Sequence, residues 1–307
     1  MPKNTREPSS PSEDAAASID AAVSMDTVAS RIRERMGDCT PSERKVARTL
    51  LAAYPVAGFE TVAGLADLAE VSGATVVRFA TRLGYSGFPD FQKALRGELE
   101  QRSASPTTLY ERTGSNRLAP AGDLAAFVEP SVEDLRSTFA GLSEHDFETT
   151  IEMLANPKRR IWLVGGRYSV FLAEYLSASL QQLRPNVQMV PEMASLRGAT
   201  MAGFDAKDVL VAFDFRRYEA DTRNLVHHAK TRKAGVVVIT DKWVSPCASD
   251  ADAVLTSIAS ERGPFDSVVP VMALVEVLFE TLVHRIGDPA RHRIEQIEQT
   301  VQQLDLI

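Results

Sequence analysis

The stretch from Leu65 to Phe91, LADLAEVSGATVVRFATRLGYSGFPDF, constrains this chain more than any other. Leu65, Leu68 and Ala69 fall at i, i+3 and i+4, one face of a helix. Val71-Ser72-Gly73 interrupts that pattern. Ser72 is placed to cap a second helix, its oxygen accepting an orphan N–H of the first turn. The second helix has an inward stripe of Val76, Ala80 and Leu83, with Val77 beside it. Its other face carries Thr75, Arg78 and Arg82, at i, i+3 and i+7. A polar, cationic face on a helix with an apolar back is the layout of a recognition helix in the DNA major groove. An ordinary solvated helix surface has the same layout, so spacing alone leaves both readings open.

The flanks supply a domain. Arg31 to Met36 begins a helical pattern, and Thr40-Pro41-Ser42-Glu43 is a capping box with proline at the first helical position. The helix behind it buries Val46, Leu50 and Leu51 and ends before Pro55, and Phe88 to Leu99 adds another helix. Residues 26–102 therefore read as a small all-α domain. Residues 1–25, rich in Ser, Pro, Ala and acids, read as a disordered tail. Residues 103–130 contain SASPTT and GSNRLAP and read as an interdomain linker.

The net charge of -7 argues against a surface that coats nucleic acid as a whole. Between Ser72 and Arg96, however, Arg78, Arg82, Lys93 and Arg96 face the single acid Asp90, a local charge of +3. Phosphate contact needs such asymmetry. Cys39 and Cys247 lie far apart and form neither a disulfide framework nor a metal site. No run approaches ~18 apolar residues and no signal-peptide pattern opens the chain, so a cytoplasmic protein without a membrane partner is expected.

Beyond the linker, residues 131–307 change period. Helical patterns at Ser131 to Leu142 (burying Val132, Leu135 and Phe139) and Glu144 to Ala155 come first. Short apolar runs follow at Arg160 to Val164, Val187 to Val190, Val209 to Phe213, Val236 to Thr240 and Ala253 to Ser257. Helical patterns at Val170 to Leu183, Met193 to Met201 and Ala220 to Lys233 separate them, and Pro270 to Arg285 and Pro289 to Leu304 close the chain. Strands alternating with helices predict an α/β three-layer sandwich with a parallel five-stranded sheet.

Several strings then carry a family resemblance. Ser42-Glu43-Arg44-Lys45-Val46-Ala47, Leu65-Ala66, Ala74 to Phe79 and Leu83 to Phe91 closely resemble the N-terminal domain of RpiR-type (MurR/RpiR) transcriptional regulators. The C-terminal half resembles the SIS (sugar isomerase) domain in its strand order, in Gly165-Gly166-x-x-Ser169 and in Ile239-Thr240-Asp241. The resemblance implies a regulator that binds double-stranded operator DNA as a homodimer or homotetramer and senses a phosphorylated sugar or related metabolite, without a cofactor.

For DNA the candidates are Ser72, Gly73, Thr75, Arg78, Arg82 and Lys93, with Arg44 and Lys45 near flanking phosphates. Arg78 is the best base reader, since a guanidinium can bond guanine O6 and N7 together. Thr75 can offer a methyl to thymine. Tyr85 and Phe88 read as packing. For an anionic effector the candidates are Gly165, Gly166, Arg167 and Ser169, where glycines, a helix N-terminus and a hydroxyl make a phosphate cradle at a strand's carboxyl end. A tight strand–helix turn would use the same glycines.

The third strand departs from the family. In place of an SxSGxT loop the chain has Phe213-Asp214-Phe215-Arg216-Arg217-Tyr218. Asp214, Arg216, Arg217 and, after the last strand, Glu261 complete the effector set. The arginines can fork onto phosphate or carboxylate, or pair locally with Glu219 and Asp221. No catalytic arrangement emerges: His227 and His228 are adjacent on a helix and point apart. The rival to a ligand-responsive regulator is a sugar-phosphate isomerase-type enzyme with an accessory helical domain. The cationic face at Arg78 and Arg82 has no use in such an enzyme.

Overall fold

A computed structural model describes residues 27–117, 125–260 and 263–306. The expected disordered tail, residues 1–25, lies outside the described residues. The helical domain comprises α1 (Val28–Arg35), α2 (Pro41–Ala52), α3 (Val62–Leu68), α4 (Gly73–Arg82) and α5 (Phe88–Ser103). Helix α2 opens on the expected capping box: Thr40 Oγ1 accepts the Glu43 N–H at 3.3 Å, and the Glu43 carboxylate accepts the Thr40 N–H at 2.9 Å. Ser72 caps α4 by accepting the Thr75 N–H at 3.3 Å. Val76, Phe79, Ala80 and Leu83 bury one face of α4 against Leu50, Leu65 and Phe91. Tyr85 and Phe88 pack on Phe91, with ring centroids 5.6 and 5.5 Å apart. Leu68, expected on the inner face of its helix, is exposed, because Leu65, Ala66 and Ala69 already fill that face.

The segment expected as an irregular linker is partly helical. Helix α6 (Pro106–Arg117) starts at a Ser-Pro pair: Ser105 Oγ accepts the Thr108 N–H at 3.1 Å, and Pro106 takes the first position. Proline there begins a helix rather than ending one. Helix α7 (Ala125–Ala140) begins before Ser131 and contains Pro130. Its buried residues are Asp134 and Thr138, whereas Phe139 is exposed. Val132 and Leu135 of the predicted stripe are half-buried, and beside them Thr138 Oγ1 accepts the Ile258 backbone N–H at 3.0 Å inside the domain. Helix α8 (Glu144–Ala155) buries Ile151 and Leu154 as its periodicity implies.

The five strands are β1 (Arg160–Gly165), β2 (Val187–Met189), β3 (Asp208–Asp214), β4 (Gly235–Asp241) and β5 (Ala253–Ser257). All pair in parallel, in the order β2-β1-β3-β4-β5. Alternate residues divide between two cores, as the two-residue period of a strand requires. Val209, Val211 and Phe213 meet α9 (Val170–Leu183), α12 (Val269–Ile286) and α13 (Asp288–Gln303). Leu210 and Ala212 meet α10 (Ala194–Ala202) and α11 (Ala220–Thr231). Strands β3 and β4 are buried along their whole length, which is why they read as continuous apolar runs. Their carboxyl ends bring Asp214 and Asp241 to one edge of the sheet, beside the helical domain. Among the described residues no helix is long and apolar enough to cross a membrane.

Candidate DNA-recognition face and ligand pocket

On α4, Arg78 is exposed, and among the described residues its guanidinium bonds only to the Thr75 hydroxyl, at 3.2 Å. Thr75 departs from the outward position expected for it. It is 6% exposed, and its hydroxyl lies 2.9 Å from Ser72 Oγ, so its methyl is not offered to a base. Arg82 is half committed: Nε donates to the Glu43 carboxylate at 3.1 Å and Nη1 to the Asp38 carbonyl at 3.2 Å. Burial opposes ionisation of Glu43, but hydrogen bonds from Thr40 and Arg82 outweigh it and hold the carboxyl below the ordinary range. Arg82 thereby clamps α4 to the start of α2. Arg44 donates to the Cys39 carbonyl at 2.9 Å, and Lys45 pairs with Glu70 at 3.3 Å. Ser72, Lys93 and Arg96 are exposed, and a Cβ on Gly73, in the first turn of α4, would meet Val62 Cγ1 at 3.3 Å.

A pocket of about 280 Å³ opens at the carboxyl ends of β1 and β3. It brings together Gly166, Arg167, Ser169, Asp214, Arg216 and Arg217, all expected there, with the apolar Leu172, Phe265 and Val271. Gly165 is required by close approach: a Cβ there would lie 2.6 Å from the Ser169 and Val170 backbone. The cradle itself differs from the phosphate site that composition implies. Ser169 Oγ accepts the Gly166 N–H and donates to the Phe213 carbonyl, both at 2.8 Å, and so staples β1 to β3. The Arg167 N–H donates to Glu219 Oε1 at 3.1 Å, and a Cβ on Gly166 would meet the same oxygen at 3.0 Å. The Glu219 carboxylate therefore sits where an incoming anion would sit.

The two arginines after β3 part company. Arg216 is buried; its Nη2 donates to Asp266 and its Nη1 to the Gln101 carbonyl at 3.1 Å. Its guanidinium also lies 4.8 Å from the Trp243 ring centroid. The ion pairs anticipated with Glu219 and Asp221 do not form; those acids meet Arg167 and Arg197 instead. Arg217 takes the left-handed backbone, φ 68°, and borders both this pocket and the cleft towards the helical domain. Glu261 lies outside the described residues. His227 meets Asp250 at 3.0 Å and His228 the Met201 carbonyl at 3.0 Å, each bound locally.

Two buried carboxyls lie at the carboxyl ends of β3 and β4. Asp214 accepts hydrogen bonds from Ser245 Oγ and, at 3.4 Å, from Cys247 Sγ and the Glu219 N–H, and burial raises its pKa. Asp241 accepts from Tyr218 Oη at 2.6 Å and from the Trp243 N–H at 3.0 Å, and burial pushes its carboxyl up to about 6. The folded chain thus keeps a proton on Asp241 that the unfolded chain releases near 3.8. Stability from this group falls as pH rises from about 3.8 to about 6 and is constant above. Asp241→Asn is expected to abolish that fall, roughly 3 kcal/mol at about 1.4 per pH unit. Urea unfolding of both proteins across this window measures the difference, and parallel curves would contradict it.

The sequence gives no sign that Gln101, Arg102 and Asp266 reach this site, and it marks Tyr218 and Glu219 only as neighbours of the two arginines. Asp266 and Gln101 reach Arg216 from 50 and 115 residues away, separations that no local spacing reveals.

Comparisons with known proteins follow the same division. The helix-turn-helix domain of the rpiR family matches residues 26–102, and the SIS domain matches residues 153–281. The HTH-type transcriptional regulator YfhH of Escherichia coli K12 is 27% identical over 281 residues, covering 89% of this chain and 98% of that protein. The HTH-type regulator HexR of the same organism is 24% identical over 285 residues, covering 90% and 94%. Two solved structures share the fold. The sugar isomerase domain of an RpiR transcription factor from Sphaerobacter thermophilus has a TM-score of 0.53 at 24% identity, covering 57% of this chain and 98% of its own. Vibrio vulnificus NanR, complexed with ManNAc-6P, has a TM-score of 0.50 at 21% identity, covering 90% and 98%.

Proposed function

The chain belongs to the rpiR family of helix-turn-helix transcriptional regulators and carries a SIS domain, and on that premise we propose that it binds operator DNA through α4 and releases or tightens its grip when a small anionic metabolite enters the pocket at β1 and β3. One observation carries this reading. Arg216, in the wall of the pocket, holds Asp266 of the pocket loop with one nitrogen and the Gln101 carbonyl of α5 with the other. Arg102 of α5 lies 4.3 Å over the Tyr218 ring beside it. A ligand that shifts Asp266 therefore pulls on the helical domain. The metabolite class rests on NanR, whose complex contains ManNAc-6P. Exposed Phe171, Tyr175, Val268 and Val269 beside the pocket support pairing of two copies, which a symmetric operator with half-sites about 34–36 Å apart requires. Action by binding rather than turnover is supported by the relatives, which are named transcriptional regulators.

Selection of duplexes from a random pool by the full chain tests the DNA half of this reading. Enrichment of a two-half-site sequence is expected; a pool that stays random would refute it. Titration calorimetry with sugar phosphates, sugar acids and amines tests the ligand half, which binding of uncharged or cationic ligands alone would refute. The occupied cradle adds a prediction. Glu219→Gln removes the resident carboxylate from the Arg167 N–H, so affinity for a sugar phosphate should rise about tenfold. An unchanged or weaker affinity would mean that the phosphoryl group binds elsewhere.

A further inference from the structure

A second cavity, about 920 Å³, separates the two domains. It has the volume of a metabolite site. Each domain contributes two arginines to it: Arg33 and Arg102 from the helical domain, Arg217 and Arg223 from the α/β domain. No aspartate or glutamate among the described residues lines it, although the chain as a whole carries -7. Among the described residues none of these four guanidinium groups forms an ion pair; Arg102 lies over the Tyr218 ring instead. The carboxylates behind the walls are engaged elsewhere. Glu98 accepts from Tyr54 Oη and the Val28 N–H, and Asp241 accepts from Tyr218 and Trp243. Four permanent cations bordering one cleft give it a positive potential that favours an anion. In the sheet pocket, by contrast, Glu219 already occupies the N–H cradle and Asp266 holds Arg216.

We propose that this interdomain cleft is a second ligand site, which takes a compact anion bearing two phosphoryl groups and ties the two domains together through Arg33, Arg102, Arg217 and Arg223. The number of cations suits two phosphoryl groups better than one, since each guanidinium fork can engage two oxygens of a phosphoryl group. The contributions from both domains make the ligand a bridge. Its occupancy fixes the angle between the recognition helix and the sheet without entering the sheet pocket.

Calorimetric titration of the full chain with sodium pyrophosphate, in the absence of DNA, tests the site independently of operator binding. One pyrophosphate per chain is expected, with inorganic phosphate and citrate each binding about tenfold or more weakly and the affinity falling as salt is raised. Arg33→Ala and Arg223→Ala remove exposed cations that border this cleft and not the sheet pocket, and each should weaken pyrophosphate about tenfold. Arg285→Ala removes an exposed arginine paired with Glu148 on α8, and serves as the charge-matched control with no expected effect. Three results would overturn the proposal: no saturable heat with pyrophosphate, equal weakening in Arg285→Ala, or a loss confined to Arg167→Ala, which borders only the sheet pocket. Citrate binding more tightly than pyrophosphate would overturn the phosphoryl assignment.

Discussion

Arg78→Ala should collapse sequence-specific DNA binding while leaving weak, salt-sensitive binding to any duplex. The guanidinium is exposed on α4, and its single tie among the described residues is the Thr75 hydroxyl at 3.2 Å. It is therefore free to swing onto a guanine edge, where a bidentate contact is worth about 1–3 kcal/mol. That corresponds to about 5- to 150-fold per recognition helix, and to the square of that factor for two copies on a symmetric site. The fold should survive, because Val76, Phe79, Ala80 and Leu83 hold α4 from its other side. Lys93→Ala offers the contrast: an exposed cation on α5 that meets phosphate should weaken specific and nonspecific binding alike. Arg82→Ala should fall between them, since its loss also leaves the Glu43 carboxylate without its cationic partner. Fluorescence anisotropy against selected and scrambled duplexes separates the three. Equal losses on both duplexes for Arg78→Ala would remove it from base reading.

Arg216→Ala is expected to cost about 3–5 kcal/mol of stability, the range for breaking a buried ion pair from one side. Its side chain is 1% exposed, and removal takes the guanidinium away from the Asp266 carboxylate and the Gln101 carbonyl. Chemical denaturation measures this, and a change below about 1 kcal/mol would show the pair to be dispensable. Arg216→Lys separates stability from coupling. A lysine keeps the charge but is a point donor that does not span two acceptors as a planar fork does. This variant should stay folded and bind operator, yet respond less to ligand than the wild type.

Much of the architecture was legible in the sequence because it rests on local rules. The capping box at Thr40, the Ser72 cap and the buried runs of β3 and β4 follow from spacing and composition. Errors arose where a polar side chain took a packing role. Thr75 turned inward to Ser72, Thr138 served a strand-end N–H, and Ser105-Pro106 began a helix inside an apparent linker. At the candidate pocket the residue types were legible and their partners were not. Ser169 and Glu219 fill the cradle that glycines and a helix start make by composition. Arg216 found its acid in a loop after β5 and its carbonyl in another domain, contacts set by tertiary structure alone.

The dissociation constant of the selected operator, measured by anisotropy with and without a saturating sugar phosphate, tests the coupling between pocket and recognition helix most directly. A shift of about 5- to 150-fold is predicted, matched by an equal shift in ligand affinity when operator is present, since linkage is reciprocal. Identical operator constants in the presence and absence of bound ligand would contradict it.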